Sequence, residues 1–184
     1  MSKRILIIST VLVALLQTCV LAKIVTDRAV ALNAGQEVIL ETGFVDPRDL
    51  FRGHYTVLNF EIESIDKSTV EIVGDYTYST PIYIELDTSG DFAQAKRLTP
   101  TPPTDATGPV LMATVRNVGS NENTPLTLNL PFERFYAAKT RALKLQNMQR
   151  ERKLGVILSV ADDGTAMIKG LTIEGEKIYE EPLY

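Results

Sequence analysis

The chain has one cysteine, one histidine and no tryptophan among its 184 residues. Cys19 lies within an apolar run near the N-terminus, so the remainder of the chain carries no thiol. That excludes a disulfide framework and a cysteine-ligated metal from the folded part. A lone histidine, His54, excludes a multi-histidine metal centre, and any Ser-His-Asp hydrolase would have to be built around it. No cofactor or metal is expected. An excess of either charge is also lacking, with 19 Lys and Arg against 23 Asp and Glu for a net charge of −4. No basic stretch is interleaved with aromatic residues, so nothing points to nucleic acid. Internal repeats are absent.

What is present is a composition that can fold: 45% hydrophobic and 23% charged. Beyond the apolar run about 160 residues remain, enough for one domain that buries roughly 70% of its unfolded surface.

Lys3 and Arg4 precede "ILIISTVLVALLQTCVLA" (5–22), and Lys23 follows it. The 18 apolar residues are slightly short of the ~20 that cross a bilayer and long for a cleavable signal core of ~7–15. Ala22, with Val20 two before it, would suit cleavage; an uncleaved anchor is the preferred reading. A lipoprotein reading fails because Gln17-Thr18 is unsuited to the position before Cys19. Residues 1–23 are therefore assigned as signal anchor or signal peptide and 24–184 as an exported domain. The basic N-terminal end stays inside, which puts the domain on the periplasmic, extracytoplasmic side of the inner membrane, or exports it after cleavage.

In the exported part, period-2 alternation with β-branched and aromatic residues dominates. "EVILE" (37–41) reads as a strand, and "HYTVLNFEIE" (54–63) as a longer one with Leu58, Phe60 and Ile62 on one face. "PIYIELD" (81–87) and "FAQAKRL" (92–98) form a hairpin about Ser89-Gly90-Asp91. The Pro- and Thr-rich "TPTPPTDATGP" (99–109) cannot pair in a ladder and reads as a surface loop. "VLMATVRNV" and "PLTLNLPF" resume the strand pattern. Asp163-Gly164 and Glu174-Gly175 mark tight turns that join Val156–Val160, Ala166–Leu171 and a final "KIYE". One segment, "FYAAKTRALKLQNMQRER" (135–152), has helical composition and an apolar stripe at Ala138, Ala142 and Leu145. It carries most of a basic run: seven Lys or Arg between Glu133 and Lys153, against Glu133 and Glu151. The fold class is mainly β, about nine short antiparallel strands curled into a barrel or sandwich with one amphipathic helix.

The stretch "VDPRDLFRGHYTVLNF" (45–60) concentrates chemistry. Asp46 suits a helix cap and Pro47 the first helical position. Gly53 suits the exit from that turn into the strand at positive φ. Arg48 and Arg52, four apart, could converge as two guanidinium forks on a carboxylate or phosphate, or pair with Asp46, Asp49 or another carboxylate of the chain. The binding candidates are Arg48, Asp49, Arg52, His54 and Tyr55. No serine among Ser64, Ser68, Ser79, Ser89, Ser120 and Ser159 has the setting of a nucleophile. Asp162-Asp163-Gly164 lacks the spacing of further oxygen ligands that a calcium loop needs.

These residues carry a resemblance. The stretch resembles the signature "PRDLLRGDYVxLxY" of the GDYXXLXY family of bacterial membrane-anchored proteins at Pro47, Arg48, Asp49, Leu50, Arg52, Gly53, Tyr55 and Leu58. "ERFYAAKTRALKLQ" and the closing "GTAMIKGLTIEGEKIYEEPLY", with Gly170 and Gly175 in its Lys-Gly and Gly-Glu pairs, are similar to the family's C-terminal part. His54 replaces the family's Asp and Phe60 its final Tyr. If that Asp were a required acid, base or ligand the first change would alter or abolish the activity, whereas a solvent-facing position, the preferred reading, tolerates it. The second keeps the ring and loses the hydroxyl, which implies packing there. The resemblance implies membrane anchoring and names no reaction.

Three functions stay open: a non-enzymatic binding or accessory module contacting another inner-membrane protein, a small-anion or small-ligand binder, and a hydrolase with a polar pocket around His54. The first is preferred. The sequence does not indicate an oligomeric state.

Overall fold

The computed structural model describes residues 3–42, 55–57, 59–121, 123–132, 134–136, 154–173 and 175–180. One helix, α1 (Lys3–Ala34), opens the chain. It runs through Lys23 without a break, twelve residues past the end of the apolar run, because "IVTDRAVALNA" contains neither Pro nor Gly. Gly35 alone separates it from the first strand, β1 (Gln36–Glu41).

Twelve strands follow in the described residues, rather than about nine. β1 lies in a four-stranded antiparallel sheet with β10 (Leu154–Val160), β11 (Ala166–Ile173) and β12 (Glu176–Glu180), in the order β1-β10-β11-β12. A second sheet has the order β3-β8-β7-β5-β6-β4. Its members are β3 (Ser64–Ile65), β4 (Glu71–Ile72), β5 (Pro81–Asp87), β6 (Gln94–Thr99), β7 (Val110–Asn117) and β8 (Leu126–Asn129). All its ladders are antiparallel except β4 with β6. β2 (Tyr55–Val57) and β9 (Arg134–Tyr136) form a separate antiparallel pair.

Both sheets turn one face to a common core. Val38 and Leu40 of β1, Val156, Leu158 and Val160 of β10, and Leu171 of β11 meet Ile82, Ile84 and Leu86 of β5 and Leu111, Ala113 and Val115 of β7. Period-2 alternation produces this: in β5 and β7 every second residue is fully buried. Each such aliphatic side chain contributes about 1.5–3 kcal/mol on leaving water. The sheets are stitched together at the Ala93 N–H, which donates to the Ile39 carbonyl at 2.8 Å, and at the Met112 N–H, which donates to the Gly164 carbonyl at 2.8 Å. β10 departs from the alternation, with all seven residues buried. The core covers one of its faces, and the end of α1 and Phe92 reach the other.

Two expectations are corrected. The strand expected over 54–63 is interrupted: after β2 the chain makes a bridge at Phe60 to Thr42, then a 3-10 turn over Glu61–Glu63, before β3. The Phe60 N–H donates to the Glu63 carboxylate at 3.0 Å, closing that turn. Phe60 and Ile62 are both buried, so their apolar spacing is satisfied by the turn as well as it would be by a strand. The helix expected over 135–152 does not begin where the composition places it, because Phe135 and Tyr136 belong to β9 and pair with Thr56 and Tyr55. Residues 137–152 lie outside the described residues.

Candidate functional site

Asp46, Pro47, Arg48, Asp49, Arg52, Gly53, His54 and Leu58 lie outside the described residues. The structure places what flanks them. Thr42 is held at both its hydroxyl and its N–H, which donate to the Leu154 carbonyl at 3.0 Å each. Thr42 also bridges to Phe60, so the two described ends that flank the segment lie side by side. Phe60, 3% exposed, packs edge-on against Phe132 with ring centroids 5.4 Å apart and planes at 80°. Such a pair contributes about 0.5–1.5 kcal/mol beyond its burial. Tyr55 heads β2, opposite Tyr136.

The remaining motif residues sit elsewhere. Gly175 has φ +84°, as the tight turn between β11 and β12 requires. A side chain at Gly170 would run into the carbonyl of Tyr179 on the neighbouring strand. Both glycines thus serve the closing hairpin, far along the chain from the arginine segment.

The densest charged cluster among the described residues is one that the sequence reading missed. β6 and β7 flank β5 and run antiparallel to it, so the connection between them must cross β5. The Pro- and Thr-rich stretch makes that crossing over the outer face, and Glu85 lies beneath it, 2% exposed. One Glu85 oxygen accepts from the Thr107 N–H at 3.1 Å, the Thr107 hydroxyl at 2.9 Å and Lys96 Nζ at 3.0 Å. The other accepts from Arg97 Nε at 2.9 Å and forms an ion pair with Nη2 of the same guanidinium at 2.7 Å. Arg97 reaches on with both terminal nitrogens to the Asp105 carboxylate, at 2.9 Å each. A register shift between Glu85 and Leu86 lets both Lys96 and Arg97 face the same carboxylate.

Burial pushes the Glu85 carboxyl up, but the hydrogen bonds from the Thr107 amide, Lys96, the Thr107 hydroxyl and Arg97 outweigh it and hold it at about 2. The same contacts raise Arg97, through Asp105 first and Glu85 second, and lower Asp105. A carboxylate so fully occupied is ionised at neutral pH and has no proton to give. Its chemistry is that of a brace holding the crossover to the sheet.

Asp163 at the β10–β11 turn is likewise structural. Asp163 accepts from the Thr165 N–H at 2.9 Å and the Thr165 hydroxyl at 2.6 Å, which lowers its carboxyl and closes the turn. Among the described residues no group of three or more His, Cys, Asp or Glu is placed to hold a metal ion. Ser159, buried in β10, donates its hydroxyl to the Ala31 carbonyl of α1 at 2.7 Å. Leu32, 2% exposed, is the residue of α1 committed to the sheet, and its burial contributes roughly 1.5–3 kcal/mol to the docking.

A protein-family model described as GDYXXLXY protein matches residues 17–171. No curated protein matches the chain, and no solved structure does.

Proposed function

The chain belongs to the GDYXXLXY protein family, and from that premise we propose that it is a membrane-anchored, extracytoplasmic accessory module that binds a partner without catalysing a reaction. The observation that carries this reading is α1. It is long and apolar enough to cross a membrane, and its last turn is built into the sheet through Leu32 and the Ser159 hydroxyl. An anchor integrated in this way keeps the β domain at the inner membrane with Lys3 and Arg4 on the cytoplasmic side. The reading of a module rather than an enzyme is supported by Glu85, the one buried carboxylate among the described residues, whose bonding capacity is spent on a loop. Contact with an inner-membrane partner is assigned to Arg48 and Arg52, whose planar forks suit a carboxylate of that partner.

The test is copurification of the full-length protein from its own membranes in mild detergent, beside Arg48→Ala/Arg52→Ala. The expected result is a membrane protein retained by the unaltered chain and lost by the double variant. Equal recovery with both baits moves the contact away from the arginines, and no specific protein with either, while the domain remains folded, overturns the reading.

A further inference from the structure

The junction between α1 and β1 has no slack. Ala34 ends the helix, Gly35 follows, and Gln36 is already paired with Val160. A Cβ on Gly35 would collide with Ser159 and Val160, so this single connecting residue is itself packed on the sheet. A helix that starts in the bilayer therefore reaches the domain as a rigid rod.

Its length sets the distance. At about 1.5 Å per residue, a hydrocarbon layer of about 30 Å takes about 20 residues. Counted from Ile5, the layer ends near Ile24. The headgroup zone adds about 5–7 Å on that side, or about four residues more. Leu32, where the sheet takes hold, lies about 12 Å along the axis from Ile24, only a few ångströms past the headgroups. Apolar surface continues through this stretch: Val25 and Val30 are each 55% exposed, and with Thr26, Ala29, Asn33 and Ala34 they line a shallow groove that no described residue from another element covers. The Lys23–Asp27 ion pair, at 2.6 Å, neutralises the charge on another side of the same turns.

We propose that α1 crosses the headgroup layer over about residues 24–28 and meets the sheet only a few ångströms beyond it, with phospholipid covering the bilayer-proximal end of the Val25–Ala34 groove, so that the β domain rests on the membrane surface rather than on a stalk. The proposal rests on the anchor reading above. Continuity decides the occupant, since the groove is the outward extension of the helix that already faces lipid, and exposed apolar surface next to a span is covered at least cost by the same solvent.

Nitroxide labels test it, on the full-length chain purified and placed in vesicles of phosphatidylcholine and phosphatidylglycerol. In a Cys19→Ser background the label is carried in turn at Leu12→Cys, Val25→Cys, Val30→Cys and Tyr78→Cys. Leu12 and Tyr78 are 64% and 77% exposed, so neither is shielded by the domain. Collision with oxygen reports lipid and collision with a water-soluble nickel chelate reports solvent. The expected result is a gradient: oxygen-dominated at 12, still oxygen-favoured at 25, nickel collision at 30 well below that at 78. If 25 and 30 match 78, the domain stands off and the proposal fails while position 12 keeps the anchor reading intact. If position 12 is also nickel-accessible, both fail. Low collision with both reagents at 25 and 30 identifies a second copy of the helix in the groove and overturns the lipid assignment.

Discussion

Glu85 and Thr172 are equally hidden, each 2% exposed, but they are provided for in opposite ways. Glu85, under the crossover on the six-stranded sheet, has donors on both oxygens. Thr172, on β11 of the four-stranded sheet, has a buried hydroxyl with no hydrogen-bond partner among the described residues. It faces Gly155 of β10, where the Ile39 methyl and the Phe92 ring crowd into the same space. Burial is thus not what makes a polar residue consequential. Removing a fully bonded group strands its partners, whereas removing an unbonded one relieves a cost already incurred.

The largest effect should follow from breaking the bonded side. Glu85→Ala leaves the Thr107 amide and Arg97 without their acceptor and is expected to cost about 2–4 kcal/mol in urea unfolding of the full chain in mild detergent. An unchanged midpoint would mean that the crossover holds without its brace. Acid provides a second reading of the same contact. The carboxyl is depressed from 4.5 to about 2 in the folded chain, so its contribution is complete above pH 4.5 and is lost as the pH falls towards 2, where the unfolded state binds the proton first. Glu85→Gln should therefore show a shallower loss of stability over that window than the unaltered chain. Equal slopes would assign the acid sensitivity to other carboxylates.

An intermediate effect belongs to the crowded side. A Cβ at Gly155 would lie 2.6 Å from the Thr172 hydroxyl and 2.8 Å from both Ile39 and Phe92. Gly155→Ala should cost about 1–3 kcal/mol by overpacking, measured in the same way. The smallest effect is Thr172→Val, which keeps the shape and removes the hydroxyl; stability should stay level or rise by up to about 1 kcal/mol. A clear loss would show that the hydroxyl is bonded in solution, and the contrast with Glu85 would close.

Several strands and hairpin turns were legible because turn chemistry and alternation agree. Gly164 and Gly175 lie at turns with φ near +85°, and β5 and β7 fall where the apolar residues alternate. The spacing of Phe60 and Ile62 suits two conformations, and the Glu63 amide and carboxylate, both bonded back to Phe60, select the turn. The continuation of α1 past Lys23 carries no apolar run to mark it, since Thr26, Asp27, Arg28 and Asn33 interrupt it, and its commitment to the sheet depends on residues far along the chain. Glu85 was overlooked for a different reason. Its odd position in "PIYIELD" reads as solvent-facing, and the Pro-rich stretch that buries it reads as a mere connector. Counting out evenly from Ser89-Gly90-Asp91 sets Glu85 opposite Ala95, and the register shift between Glu85 and Leu86 that brings Arg97 to it has no mark in the sequence. The arginine segment was legible as chemistry and lies outside the described residues, so the sequence still speaks for it alone.

The Thr42 hydroxyl bonds a carbonyl 112 residues away, and the Ser159 hydroxyl reaches back 128 residues to α1. A chain delivered from its N-terminus therefore presents β1 long before β10 exists to receive it. Hairpins such as β5–β6 can form as they emerge, but the first strand and the end of the helix wait for nearly the last residues. A chain ending before β10 would leave β1 and the end of α1 without the strand they bond, rather than a domain that is merely shortened.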